Sequence, residues 1–70
     1  MKLSARNVLA GKVLDVKKGK VTAIVRIDIG GGKVITSSIT MAALEDLGIK
    51  RGSAVHAIIK ASEVLIGVDD

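Results

Sequence analysis

Val21-Thr22-Ala23-Ile24-Val25-Arg26-Ile27-Asp28-Ile29, then Gly30-Gly31-Gly32, then Lys33-Val34-Ile35-Thr36-Ser37-Ser38-Ile39-Thr40 is the stretch that decides the fold. Val21, Ala23, Val25, Ile27 and Ile29 alternate with Thr22, Ile24, Arg26 and Asp28, the period of two expected of a strand with one buried face. Three glycines turn the chain and a second strand returns over Lys33 to Thr40, so the stretch reads as a β-hairpin. A phosphate-binding loop is the poorer reading of these glycines. A strand follows them instead of a helix, and the GK[ST] ending is missing.

Toward the N-terminus, Val8 to Lys17 reads as another strand, with Lys12, Leu14 and Val16 on one face and Gly11, Val13 and Asp15 on the other. Lys17-Lys18-Gly19-Lys20 joins it to the hairpin, and Gly19 is the expected positive-φ residue of a tight turn. A charged tip of this kind is either a solvated turn or, where consecutive backbone N–H groups sit beside lysines, an anion nest. Before it, Met1 to Asn7 reads as a short edge segment ending in a polar turn. Ser4 and Asn7 there either bond their own backbone or face a ligand.

Toward the C-terminus, Thr40 is a natural N-cap for a short helix over Met41 to Leu47. Gly48 is placed as its C′ residue, with Ile49 folding back on the last turn. Met41, Leu44 and Leu47 share one face, leaving Glu45 and Asp46 exposed. Lys50-Arg51-Gly52-Ser53 is a turn, most simply a solvated one. Ala54 to Ala61 is a fourth strand, with Val55, Ala57 and Ile59 opposite His56, Ile58 and Lys60. Glu63 to Val68, alternating through Val64, Ile66 and Val68, is a fifth, and Asp69-Asp70 a frayed end. Five short strands, one short helix and no parallel crossover describe an all-β chain with one short helix, a small five-stranded antiparallel barrel of the OB type. Residues 1–70 form one domain.

A chain of 70 residues buries only about 60% of its unfolded surface and is marginal by itself. It has no cysteine to staple it and no thiolate for a metal, and its single histidine, His56, builds no metal cage with scattered carboxylates. Apolar residues make up 49%, more than one small core hides, and Ile24, Ile58 and Leu65 fall on outer faces. Both facts predict a homo-oligomer. The net charge of +4 favours an anionic partner. No Phe, Tyr or Trp is present to stack bases, so a nucleic acid is not the expected one. No apolar run reaches the length of a membrane span. Ser4, Arg6 and Asn7 interrupt any signal-peptide core, so cytoplasm is the expected location.

Ala57-Ile58-Ile59-Lys60-Ala61-Ser62 places a cation and a hydroxyl at a strand end. Together with Ser4-Ala5-Arg6-Asn7, Gly11-Lys12-Val13, Lys17-Lys18-Gly19, Ile39-Thr40, Leu47-Gly48-Ile49 and Gly52, in that order and spacing, the chain resembles the molbindin (Mop) family over nearly its whole length. The resemblance implies a hexamer built as a trimer of dimers that binds molybdate or tungstate between subunits, without catalysis, for intracellular storage or homeostasis. It implies one site drawn from Ser4, Ala5 and Arg6 of one chain and Lys60, Ala61 and Ser62 of another, with Thr40 at the helix head. It implies a second site near a symmetry axis, around Lys17, Lys18 and Gly19. Many relatives carry a serine where this chain has Ala43, which removes one donor. No organic cofactor and no directly ligated metal cation are implied.

These residues suit that chemistry. Molybdate is a tetrahedral dianion whose oxygens only accept hydrogen bonds, and backbone N–H groups, hydroxyls and one ammonium supply donors from several directions. Two other classes compete: a nucleic-acid-binding OB module, which the basic charge supports and the missing aromatics oppose, and a ligand-sensing or oligomerisation domain acting with a separate chain. An enzyme is least favoured, since no nucleophile–base pair and no arranged carboxylate pair is present.

Overall fold

A computed structural model describes residues 1–69; Asp70, expected to fray with Asp69, lies outside the described residues. The elements run β1 (Asn7–Lys18), β2 (Thr22–Gly30), β3 (Lys33–Thr40), α1 (Met41–Leu47) and β4 (Ala54–Ile59), followed by a 3₁₀ turn over Ala61–Glu63. The four strands form one sheet in the order β3-β2-β1-β4, and every pairing in it is antiparallel.

The hairpin forms as its sequence dictates. Ile27 pairs with Ile35, Val25 with Ser37 and Ala23 with Ile39, so the inner face is apolar along β2 and, apart from Ser37, along β3. Gly30 pairs with Lys33, leaving a two-residue loop of Gly31 and Gly32 with φ of 60° and 75°. Positive φ at both central residues is what a hairpin matched to the strand twist requires. The extra residue, Ile29, forms a bulge between Asp28 and Gly30.

Val13, Ala23, Val25, Ile27, Leu44 and Ala57 are the buried core. The strict alternation expected along β1 fails, because the register against β2 slips between Val13 and Asp15. One extra residue, Leu14, therefore lets Val13 and Val16 both face the core, although two-fold alternation puts them on opposite sides. Asp15 turns outward and accepts hydrogen bonds from Arg26 Nε at 3.1 Å and 3.0 Å.

The helix starts and stops where its caps say. Thr40 Oγ1 accepts the Ala43 N–H at 3.0 Å. Gly48 adopts a left-handed φ of 63°, and the Ile49 N–H reaches the Leu44 carbonyl at 3.2 Å. Leu44 is the buried plug of this helix, and Met41 packs beside it. Leu47, expected on the same face, is 69% exposed because it lies at the rim, one turn beyond the core.

Three further expectations are corrected. Val21 lies outside β2 and is 73% exposed, its carbonyl instead accepting the Met41 N–H. Gly19 does not take positive φ. Its place is fixed by a close approach, since a Cβ there would stand 2.8 Å from the Thr22 carbonyl oxygen. The fourth strand ends at Ile59, and no fifth strand follows: residues 64–69 carry no regular secondary structure, and Leu65 is 94% exposed. After the 3₁₀ turn the tail leaves the sheet and has no strand of its own chain to pair with. The result is a curled four-stranded sheet whose two edges, β3 and β4, stay apart. Between them lies an apolar cavity of about 400 Å³, floored by Ile35, Ile39, Val55 and Ile59.

Candidate functional site

The two segments singled out at the chain's ends meet. β1 opens at Asn7 against Ile59, the last residue of β4, so the ladder's end brings the N-terminal segment beside the residues that follow β4. Ser4, Ala5 and Arg6 on one side and Lys60, Ala61 and Ser62 on the other line a single open depression of about 490 Å³. In the single chain the two arms lie side by side. Asn7 does not bond its own backbone: its side-chain amide donates to the Ile59 carbonyl at 3.1 Å, across the mouth of the ladder.

The donor set follows from the local backbone. Lys60 is extended, with φ −63° and ψ 132°, and the chain then tightens into the 3₁₀ turn. Hydrogen bonds in that turn run from Glu63 and Val64 back to the Lys60 and Ala61 carbonyls. The N–H groups of Ala61 and Ser62 consequently have no partner inside the turn, as at any helical start. Beside them stand the Lys60 ammonium, the Arg6 guanidinium and the hydroxyls of Ser4 and Ser62, all on exposed residues. Glu63, the nearest carboxylate in sequence, does not line the depression.

Ile58 also lines it, as an apolar wall, and sequence reasoning did not place it there. The available signal was its outward position two residues before Lys60 on the same strand face. Thr40 is not brought to this depression; its hydroxyl oxygen caps α1 and keeps its own proton to donate.

The turn around Lys17, Lys18 and Gly19 spends one backbone donor within its own chain. Lys17 and Lys18 close the β1–β2 ladder opposite Ile24 and Ala23, and the Gly19 N–H is spent on the Thr22 carbonyl at 2.8 Å. Lys18 instead shares a shallow pocket with Asp15, Lys50 and Arg51, two of which belong to a turn read only as solvated. Asp15 is held below the ordinary carboxylate range chiefly by its hydrogen bonds from Arg26, with Arg51 adding to the effect. Arg26 is raised in return. Among the described residues no group of three His, Cys, Asp or Glu side chains is placed to hold a metal ion. No helix there is long and apolar enough to cross a membrane.

Comparison with known proteins gives this arrangement its context. The TOBE domain family matches residues 3–66, and the chain belongs to that family. Within it, the full-length resemblance is to the molybdenum-pterin-binding (Mop) proteins. The chain is 51% identical to a probable molybdenum-pterin-binding protein of Haemophilus influenzae, over 99% of this chain and 100% of that one. Its fold superposes on MopII from Clostridium pasteurianum with a TM-score of 0.91 at 46% identity, covering 96% of this chain and 100% of the other. It also superposes on ModG, described as a cytoplasmic molybdate-binding protein with molybdate bound, with a TM-score of 0.94 at 45% identity. That match covers 99% of this chain and 49% of ModG.

Proposed function

We propose that this chain binds molybdate or tungstate without catalysing a reaction, and serves their storage or homeostasis in the cytoplasm. The observation that carries this reading is the convergence of Ser4, Ala5 and Arg6 with Lys60, Ala61 and Ser62 on one depression. Two hydroxyls, unpartnered N–H groups and fixed positive charge surround it, which is the donor set a tetrahedral dianion needs. Lys60 acts as a compact point charge. The relatives named for molybdenum and molybdate support the choice of oxyanion.

The working form in this reading is a homo-oligomer, a hexamer arranged as a trimer of dimers, with the ion held between chains. The depression, about 490 Å³, is far larger than one oxyanion, leaving room for groups of a second chain, among them Thr40. The tail supports association too. Val64, Ile66 and Val68 alternate as a strand yet all three are exposed, while the seam between β3 and β4 offers two unpaired edges over an apolar floor. Laid in the seam of a second copy, the tail supplies the missing strand by edge pairing. An axis site near Lys17, Lys18 and Gly19 would then be formed by lysine side chains of several copies and not by the Gly19 N–H.

Native mass spectrometry with and without molybdate tests the whole reading, with a hexamer that gains mass in molybdate steps as the expected result. A monomer at micromolar concentration overturns the assembly. Calorimetry tests the site. Lys60→Ala removes a hydrogen bond to a charged group, worth about 1.5–3 kcal/mol, so affinity should fall roughly ten- to a hundredfold. Unchanged affinity would remove Lys60 from the site.

A further inference from the structure

The structure assigns to Asn7 the role of positioning residue for this site, an inference that rests on the oxyanion reading above. Its place in the fold is particular. Asn7 is the first residue of β1 and Ile59 the last of β4, so immediately beyond this pair the chain diverges into the two arms that carry the donors. Residues 1–6 belong to no strand or helix. Among the described residues, no other side-chain hydrogen bond joins the N-terminal segment to the end of β4. The Asn7 carboxamide makes that link at 3.1 Å to the Ile59 carbonyl, a half-buried bond across 52 residues of sequence.

The consequence is mechanical. The Ile59 carbonyl belongs to the peptide unit whose nitrogen is that of Lys60. Holding that carbonyl fixes the plane from which the Lys60 side chain and the following turn start. Holding the Asn7 side chain fixes the point from which Arg6, Ala5 and Ser4 run back along the other wall. Asn7 itself does not line the depression, so it acts through its neighbours and not on the ion. Preorganised donors bind an anion more tightly than donors that must first be ordered, because the ordering cost falls outside the binding step. Residue type matters as well. A donor reaching a carbonyl from a short side chain is met by Asn, whereas Asp in its ionised form presents only acceptors and sets oxygen against oxygen.

The test is a double-mutant cycle read by calorimetry with sodium molybdate on the full chain. Asn7→Ala and Asn7→Asp are compared in the unaltered background and in Lys60→Ala. Amide hydrogen exchange of Glu63 and Val64, the bonded N–H groups of the turn, is followed in the ion-free protein. The expected result is an affinity loss of about tenfold for Asn7→Ala, and at least as much for Asn7→Asp, smaller but still measurable once Lys60 is gone, since coupled residues are not additive and the donors of the other arm remain. Exchange at Glu63 and Val64, whose N–H groups close the turn on the Lys60 and Ala61 carbonyls, accelerates while that of Val25 and Ile27 in the core stays as it was. This second readout separates positioning from general loss of fold. Equal losses in both backgrounds, or an unchanged affinity for Asn7→Ala while the parent still binds, overturns the role of Asn7 alone. Failure of the unaltered chain to bind molybdate overturns the site and the role together.

Discussion

Replacing Gly11 by alanine adds a single methyl group in the middle of β1, at a position where nothing in the sequence demands glycine. Gly11 does not take positive φ, so backbone conformation tolerates the change. By itself it would even stabilise by about 0.4–1 kcal/mol through the unfolded chain. Space decides otherwise. A Cβ at Gly11 would stand 2.5 Å from the Asp28 carbonyl oxygen and 2.7 Å from Ile27 Cγ2. The first of these is backbone, in a strand held on its other side by β3, and cannot rotate away. Residues 11 and 12 also pair with Val55 and Ala54 of β4, so β1 cannot retreat in that direction without loosening the second ladder. Overpacking of this kind costs about 1–3 kcal/mol, and contact with rigid backbone points to the upper part of that range. A net loss of about 2 kcal/mol corresponds to a fall in Tm of roughly 8–16 °C for a domain of this size. The assay is thermal unfolding by circular dichroism, parent and variant at one protein concentration, since association would make Tm depend on it. Gly31→Ala is the control: it meets nothing within 4 Å but takes φ of 60°, and should cost only about 1–2 kcal/mol of left-handed strain. If Gly11→Ala melts within about 3 °C of the parent, the close approach of β1 to β2 does not exist as described.

Leu44→Ala removes the plug that α1 sets into the sheet, 2% exposed, and should cost about 2–5 kcal/mol by chemical denaturation. A loss under 1 kcal/mol would mean the helix is not seated. Thr40→Ala deletes the cap on the Ala43 N–H and should cost about 1 kcal/mol, whereas Thr40→Ser should recover most of it. For Asp15 the sign is fixed by its depressed pKa, caused first by the Arg26 hydrogen bonds. Stability from the pair is present above the ordinary carboxylate value and is lost as pH falls through the lowered one. The Tm difference between parent and Asp15→Asn should therefore be largest near neutrality and vanish in acid, and a difference that grows on acidification would contradict the pairing.

How much of this could be read beforehand follows the physics of each element. The hairpin was legible because its alternation, its glycines and its buried face all report the same register, with Ala23, Val25 and Ile27 inside. The helix was legible because caps are local, and Thr40 and Gly48 carry their own hydrogen-bond chemistry. The donors at the two chain ends were legible as residue types. Their meeting in one chain was not, because it depends on the pairing of Asn7 with Ile59 across the whole sequence. The slip at Leu14 was equally hidden. Strict alternation is the only register a sequence advertises, and a bulge is set by the partner strand.

The missing fifth strand is the instructive failure. Alternation in Val64, Ile66 and Val68 states that one face of this segment is meant to be buried, and it says nothing about which surface buries it. In the chain by itself no surface does, and Leu65 and Ile66 stand 94% and 91% exposed. Apolar area of that extent is uncommon on a protein that works alone. The uncovered seam between β3 and β4 is the same deficit seen from the other side: a floor of isoleucine and valine with no lid. A strand without a sheet and a sheet without its last strand, in one sequence, would be satisfied together in the proposed association of copies. Because the tail leaves directly from the turn that holds Ala61 and Ser62, whatever anchors the tail also fixes one wall of the proposed oxyanion site. Assembly and ion binding would then be linked through a single hinge.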